Sequence, residues 1–232
     1  LRAAGQTSQS PSADFRKRPT FSESGYFSIM GVGDGSNRRG SCARDGRRTR
    51  WASATGCPAR LRRTANSVRK YGMSTARAAL AKDLLERACE LHKQGEMDLA
   101  TELYRRSIEA HPTAEAYTHL AWAYRFLGRI EDAIAACKKA IDVDPAYGCP
   151  YNDIGGYLIE LGRPDEAIPW LERALTSNRY DSYHFPWYNL GRAYLAKEMF
   201  RRARECFEKA LEIAPDYAAA ADALDRVRRL VQ

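Results

Sequence analysis

Small side chains recur along the second half of this chain at a spacing that leaves few folds open to it. Ala100, Ala133, Ala167 and Ala203 stand 33, 34 and 36 residues apart. Tyr104, Cys137, Leu171 and Phe207 follow each alanine by four residues, and Ser107, Ala140, Ala174 and Ala210 come three after those. Gly95, Gly128 and Gly162 keep the same step, and Pro112, Pro145 and Pro215 close three of the units. A period in this range is the mark of a stacked helical repeat.

The repeat implies its own packing. Each unit holds two amphipathic stretches of about 14 residues, too short to be stable as isolated helices in water. Small residues at Ala88, Ala121, Gly155 and Gly191 on the first helix are expected to face Ala100, Ala133, Ala167 and Ala203 on the second. The helix axes can then approach closely, with Tyr124, Leu171, Tyr194 and Phe207 filling the flanks. Each pair keeps an apolar side that only the next pair can cover, so the units stack.

The last unit reads Trp187-x-x-Leu190-Gly191-x-x-Tyr194, then Ala203-x-x-x-Phe207, Ala210 and Pro215. On these positions the chain resembles the tetratricopeptide-repeat (TPR) family. The resemblance implies an all-α, right-handed α-solenoid of four helix pairs, at 81–113, 114–147, 148–183 and 184–217. A C-terminal capping helix is expected at 218–230, with the TPR domain as a whole spanning 76–232. Signature positions of this kind serve packing, so they imply a fold and not a chemistry.

The departures from the pattern cluster. Leu84 and Arg87 stand where the first unit would hold Trp and Leu, and Glu198 replaces the fourth turn glycine. The third unit carries Pro169 inside its second helix, which removes a backbone donor, and Arg179 in place of the closing proline. Two extra residues follow, in a joint rich in aromatics from Tyr180 to Tyr188. Tyr180, Tyr183 and Phe185 are not required by the repeat. Two readings stand for them: a secondary ligand surface, or a plug for the longer joint.

Residues 1–75 are of another texture. They hold 15 of the chain's 37 basic residues against 4 of its 29 acidic ones, a net of +11, so the remainder carries a net of −3. The overall charge of +8 therefore belongs to the front and says nothing about the repeats. The segment is rich in Ser, Gly and Arg, holds no helical or strand period, and is expected to be a disordered loop from end to end. Three roles are open to it. It could be a transit peptide, Arg-rich and poor in acid, making the protein organellar. It could hold nucleic acid through Arg47-Arg48-Thr49-Arg50 and Arg60-Leu61-Arg62-Arg63. Favoured over both is the reading in which it lies upstream of the working protein, because Met73 stands just before the first long amphipathic stretch.

Several classes are set aside by composition. The six cysteines form no C-x-x-C pair and the four histidines no H-E-x-x-H, so neither a metal site nor a disulfide framework is expected. Scattered, reduced thiols suit the cytoplasm. No run of about 18 apolar residues spans a membrane, and no apolar segment near residue 1 suggests a secretory signal. The acidic residues fall mostly on second helices, as a solvated face, and no nucleophile–base arrangement can be placed. No enzyme activity and no cofactor are expected.

In TPR proteins the first helices of successive pairs line a concave groove that takes an extended peptide or a partner helix. By that resemblance the groove here is lined by His92, Trp122, Arg125, Phe126, Asn152, Glu160, Tyr188 and Arg192. Trp122, Phe126 and Tyr188 are the expected aromatic anchors, with Arg125 and Arg192 selecting acidic ligands; the other reading of Trp122 and Phe126 is that the edge of an adjacent helix covers them. Asn152, Asn189 and Arg192 resemble part of the clamp by which some members hold a C-terminal carboxylate. The clamp's lysine column is absent, and binding of chaperone tails is not expected. The implied function is a protein-interaction module or scaffold. The alternatives are nucleic-acid association through the basic segment, disfavoured for the folded part, or self-association into a homo-oligomer through the solenoid ends.

Overall fold

The computed structural model describes the backbone of residues 58–231 and the side chains of residues 73–231. The described residues form nine helices: α1 (Pro58–Gln94), α2 (Met97–Ala110), α3 (Ala114–Phe126), α4 (Ile130–Val143), α5 (Cys149–Glu160), α6 (Pro164–Leu175), α7 (His184–Ala196), α8 (Phe200–Ile213) and α9 (Ala218–Leu230). They pack as the pairs α1–α2, α3–α4, α5–α6 and α7–α8. Each pair rests on the next, and α9 closes on α8. This is the four-pair all-α solenoid with a capping helix that the repeat implies.

The backbone differs from expectation at the front. A loop was expected through residue 75, yet α1 opens at Pro58 and runs 37 residues. Proline is suited to a first helical turn, and a helix can extend on propensity without an apolar stripe, which periodicity alone does not detect. Residues 1–57 lie outside the described residues, and with them Arg47, Arg48 and Arg50 of the proposed nucleic-acid cluster; so do the side chains of the Arg60–Arg63 cluster. Among the described residues no helix is long and apolar enough to cross a membrane.

Each first helix ends in the same paired cap. Gly128 N–H donates to the Arg125 carbonyl and Arg129 N–H to the Tyr124 carbonyl; Gly162 and Arg163 repeat this on α5, as do Gly95 and Glu96 on α1. The glycines take φ of 84°, 75° and 72°, the left-handed conformation this cap requires. Glu198 takes it too, at φ 58°, with its N–H donating to Leu195 and that of Met199 to Tyr194. The geometry of the turn outlasts the loss of its glycine.

The interhelical contacts correct one expectation. Gly155 and Gly191 have as nearest neighbours Leu171 and Phe207, not the alanines four residues earlier. A Cβ on either glycine would overlap those fully buried side chains. The small residue of the first helix is thus a socket for the large residue of the second, and Ala167 and Ala203 are fully buried as well.

The joint after α6 is held by its irregular residues. Arg179, where a proline was expected, donates its N–H to the Ala146 carbonyl and its carbonyl accepts from Gly148 N–H. Its guanidinium pairs with Asp144 and Glu115 and lies 4.8 Å from the Tyr147 ring centroid. The extra chain is stitched back onto the preceding inter-repeat loop.

Candidate partner-binding surface

The first helices stand in one row, α3 meeting α5 through Trp122–Asp153 and Arg125–Glu160. α1 contacts α3 and α5 contacts α7 directly, and every residue of α5 from Pro150 to Leu158 is buried. On α6 and α8, by contrast, only Ala167, Leu171 and Ala174, and Ala203, Cys206, Phe207 and Ala210, are buried. A helix buried on both sides is flanked by neighbours of its own row as well as by its pair partner.

Of the three expected anchors, one is presented to solvent. Phe126 is 55% exposed at the end of α3. Trp122 is half-buried: its Nε1–H donates to Asp153 Oδ2 at 2.6 Å and its ring lies 4.8 Å from that of His119. Tyr188 packs on Phe207 and Tyr217, at 5.8 and 5.1 Å between centroids, and so belongs to the packing of the last pair. Two of the three expected anchors are thus part-buried and packed on neighbouring side chains.

The polar residues are also more engaged than their helical positions imply. Arg125 forks onto Glu160, Nη2 donating to Oε1 at 2.7 Å and Nε to Oε1 and Oε2 at 3.1 and 3.2 Å. His92 is 5% exposed, its Nδ1 is hydrogen-bonded with the Tyr104 hydroxyl at 3.2 Å, and that hydroxyl lies within reach of Cys89 Sγ. Burial, helped by His119, pushes His92 down to about 4, so it is a neutral core imidazole and not a groove side chain. Tyr180 and Phe185 are buried as well, and Tyr183 is held by a hydrogen bond from its hydroxyl to the Ser177 carbonyl. Of the two readings of the joint aromatics, the plug is the one these contacts fit.

Asn152 and Asn189 form the most interior feature of the row. Both are buried, and Asn189 Nδ2–H donates to Asn152 Oδ1 at 2.9 Å across the α5–α7 contact. Arg192 Nη1–H donates to Asn189 Oδ1 at 3.0 Å, and Asn152 Nδ2–H to Asp153 Oδ1 at 3.4 Å, the longest link. Five side chains thus run from half-buried Arg192 through two amides to a buried carboxylate that also receives Trp122. Asp153 escaped the sequence reading. Its signal was an acidic residue two positions before Gly155, inside the stretch 149–159 that carries no other charge.

Burial pushes Asp153 up to about 7, with Trp122, Asn152 and Arg125 pulling the other way. Among the described residues no group of three or more His, Cys, Asp or Glu side chains is placed to hold a metal ion.

Two tetratricopeptide-repeat models match the chain, over residues 114–147 and 147–216. Both spans coincide with helix pairs described above. This is a tetratricopeptide-repeat chain. Among similar proteins are the SGT1 homolog of Oryza sativa subsp. japonica, 38% identical over 95 residues, and the probable peptide N-acetylglucosaminyltransferase SPINDLY of Hordeum vulgare, 30% identical over 120 residues. These matches cover 40% and 48% of this chain but only 26% and 12% of the relatives. The TPR chain therefore spans about a quarter or less of their length. The structure of Pseudomonas aeruginosa pilF superposes with a TM-score of 0.62 at 24% identity, covering 66% of this chain and 69% of that one, a likeness of fold alone.

Proposed function

We propose that the TPR chain is a protein-interaction module that holds an acidic, extended peptide segment along its first-helix row, and that it works by binding and not by catalysis. The exposed Phe126 carries the reading: it is a large aromatic side chain, 55% exposed, standing beside the Arg125–Glu160 fork on the row that lines the groove in this family. An aromatic ringed by polar groups is how interaction hot spots are built. Arg192, half-buried on α7, offers the second cation. An affinity on the order of micromolar, about −8 kcal/mol, is what such a surface supplies.

The test is affinity capture from a lysate of the source cell with the full chain, paired with a chain carrying Phe126→Ser and Arg192→Gln. Trp122 is left intact, because its bond to Asp153 makes it part of the fold. The reading expects a protein retained by the first and lost from the second at equal thermal midpoint. Equal retention by both contradicts it.

A further inference from the structure

The chain from Arg192 to Asp153 has a direction. A guanidinium can only donate and an ionised carboxylate can only accept, whereas a primary amide does one at each end. With Arg192 donating to Asn189 Oδ1, the Asn189 amide must present its Nδ2 to Asn152 Oδ1, and Asn152 must present its own Nδ2 to Asp153. Trp122, another donor, closes the second carboxylate oxygen. In this arrangement every link is satisfied with the far end as an acceptor.

A proton from solvent on Asp153 Oδ1 reverses that logic. The new O–H is a donor, and it finds an acceptor when the amide it faces turns its carbonyl toward it. Asn152 then offers Nδ2 to Asn189, Asn189 turns its carbonyl to meet it, and its Nδ2 is left facing the Arg192 guanidinium. Two donors cannot bond, so the last link breaks. Trp122 keeps its bond to Oδ2 in both states.

We propose that the proton on Asp153 gates Arg192: ionised Asp153 draws the amides into the orientation that clasps Arg192 against Asn189, and protonated Asp153 reverses them and releases Arg192 to a ligand carboxylate. The gate lies on the reading that the first-helix row takes acidic peptides, and gives that site its regulation. The charged and titratable groups around Asp153 are Arg125 from α3, Cys137 from α4, Tyr147 and Cys149 from the preceding loop and the start of α5, and, behind the amide of Asn189, Arg192 from α7; Trp122 adds a neutral donor. From α6 the neighbour is the apolar Leu171, set against Gly155. Burial pushes Cys137 and Cys149 up, which keeps them neutral thiols, so Arg125 and Arg192 are the cations of the set. Burial at 3% exposure pushes Asp153 up to about 7, so both states are populated near neutrality.

The experiment is a nitrogen-15 NMR titration of the full chain from acid to mildly alkaline pH. It follows the Trp122 indole N–H, the Asn152 and Asn189 side-chain amides and the Arg192 Nε–H. The gate expects all four to move with one midpoint, and Arg192→Gln to raise that midpoint by about half a pH unit by relieving the donor–donor mismatch of the protonated state. Asp153→Asn should freeze the amides and Arg192 in the acid-side pattern across the range. If Trp122 titrates while Asn189 and Arg192 stay still, or if nothing titrates, the gate is overturned by the parent chain alone, whether or not the variants fold. A second arm adds an acetylated hexaglutamate peptide. Because apparent affinity scales with the competent fraction, binding should be about tenfold tighter at pH 6 than at pH 8. Binding equal at the two values overturns the gate and leaves the acidic-peptide reading standing. No binding beside an intact joint titration leaves the gate standing and removes that reading.

Discussion

Arg125 on α3 holds Glu160 on α5 in a two-pronged grip, its Nη2 2.7 Å and its Nε 3.1 Å from the same carboxylate oxygen. The pair is part-exposed, at 47% and 25%. Exposed ion pairs contribute about 0.2–1 kcal/mol, so Glu160→Gln should lower stability by less than about 1 kcal/mol. The same change frees Arg125 for an incoming carboxylate. The expected result is a small drop in thermal midpoint together with tighter binding of an acidic peptide, read by calorimetry. Weaker binding would mean that Glu160 itself contacts the ligand.

Gly191 and Phe207 set a second prediction. Gly191→Ala gains about 1 kcal/mol of helix propensity, but its Cβ would overlap the ring of Phe207, which is fully buried. Overpacking of this kind costs about 1–3 kcal/mol. The steric term wins, and the denaturant midpoint should fall. A rise would show that α7 and α8 can move apart without loss.

Glu198 gives the opposite sign. A non-glycine residue at φ 58° carries a strain of about 1 kcal/mol. Glu198→Gly puts back the residue found at the other three turns and should raise stability by about 0.5–1 kcal/mol in chemical denaturation. A lower midpoint would show that the Glu198 side chain makes a compensating contact in solution.

These cases show what the sequence discloses and why. The packing columns repeat, and a repeating column can be counted: Gly191, Ala203 and Phe207 announced the helix pairs because each unit makes the same contact. The turn at Glu198 was legible for the same reason. What escaped are features that occur once. Asp153 meets Trp122 across 31 residues and Asn152 meets Asn189 across 37, and such links depend on the rotation of each helix about its axis, which periodicity does not resolve. That rotation is also why Trp122 and Tyr188, read as anchors, turn into packed interfaces while Phe126 stays outside. At the joint, the composition flagged Tyr180 and Phe185 as unusual, but burial decided their role.

Asp153 and His92 make stability respond to pH with opposite signs. Asp153 is raised from its ordinary 3.8 to about 7, so the stability tied to its proton is complete below about 4 and is lost as pH rises toward 7. His92 is lowered from 6.5 to about 4, so its contribution is complete above 6.5 and is lost as pH falls toward 4. Either group contributes a slope of at most about 1.4 kcal/mol per pH unit inside its window. Relative to the parent, Asp153→Asn should gain stability as pH rises from 4 to 7. His92→Gln should gain as pH falls from 6.5 to 4. Parallel curves for parent and variant, measured by urea unfolding at each pH, would refute the corresponding assignment.

If the first-helix row takes an acidic peptide, selection from a random displayed-peptide library on the full chain will reveal it. Enriched sequences are expected to be rich in Asp and Glu around an apolar residue that would seat on Phe126. Those peptides should lose most of their affinity for the Phe126→Ser, Arg192→Gln chain while its thermal midpoint stays unchanged. Enriched peptides without acidic residues, or peptides that bind parent and variant alike, would contradict it.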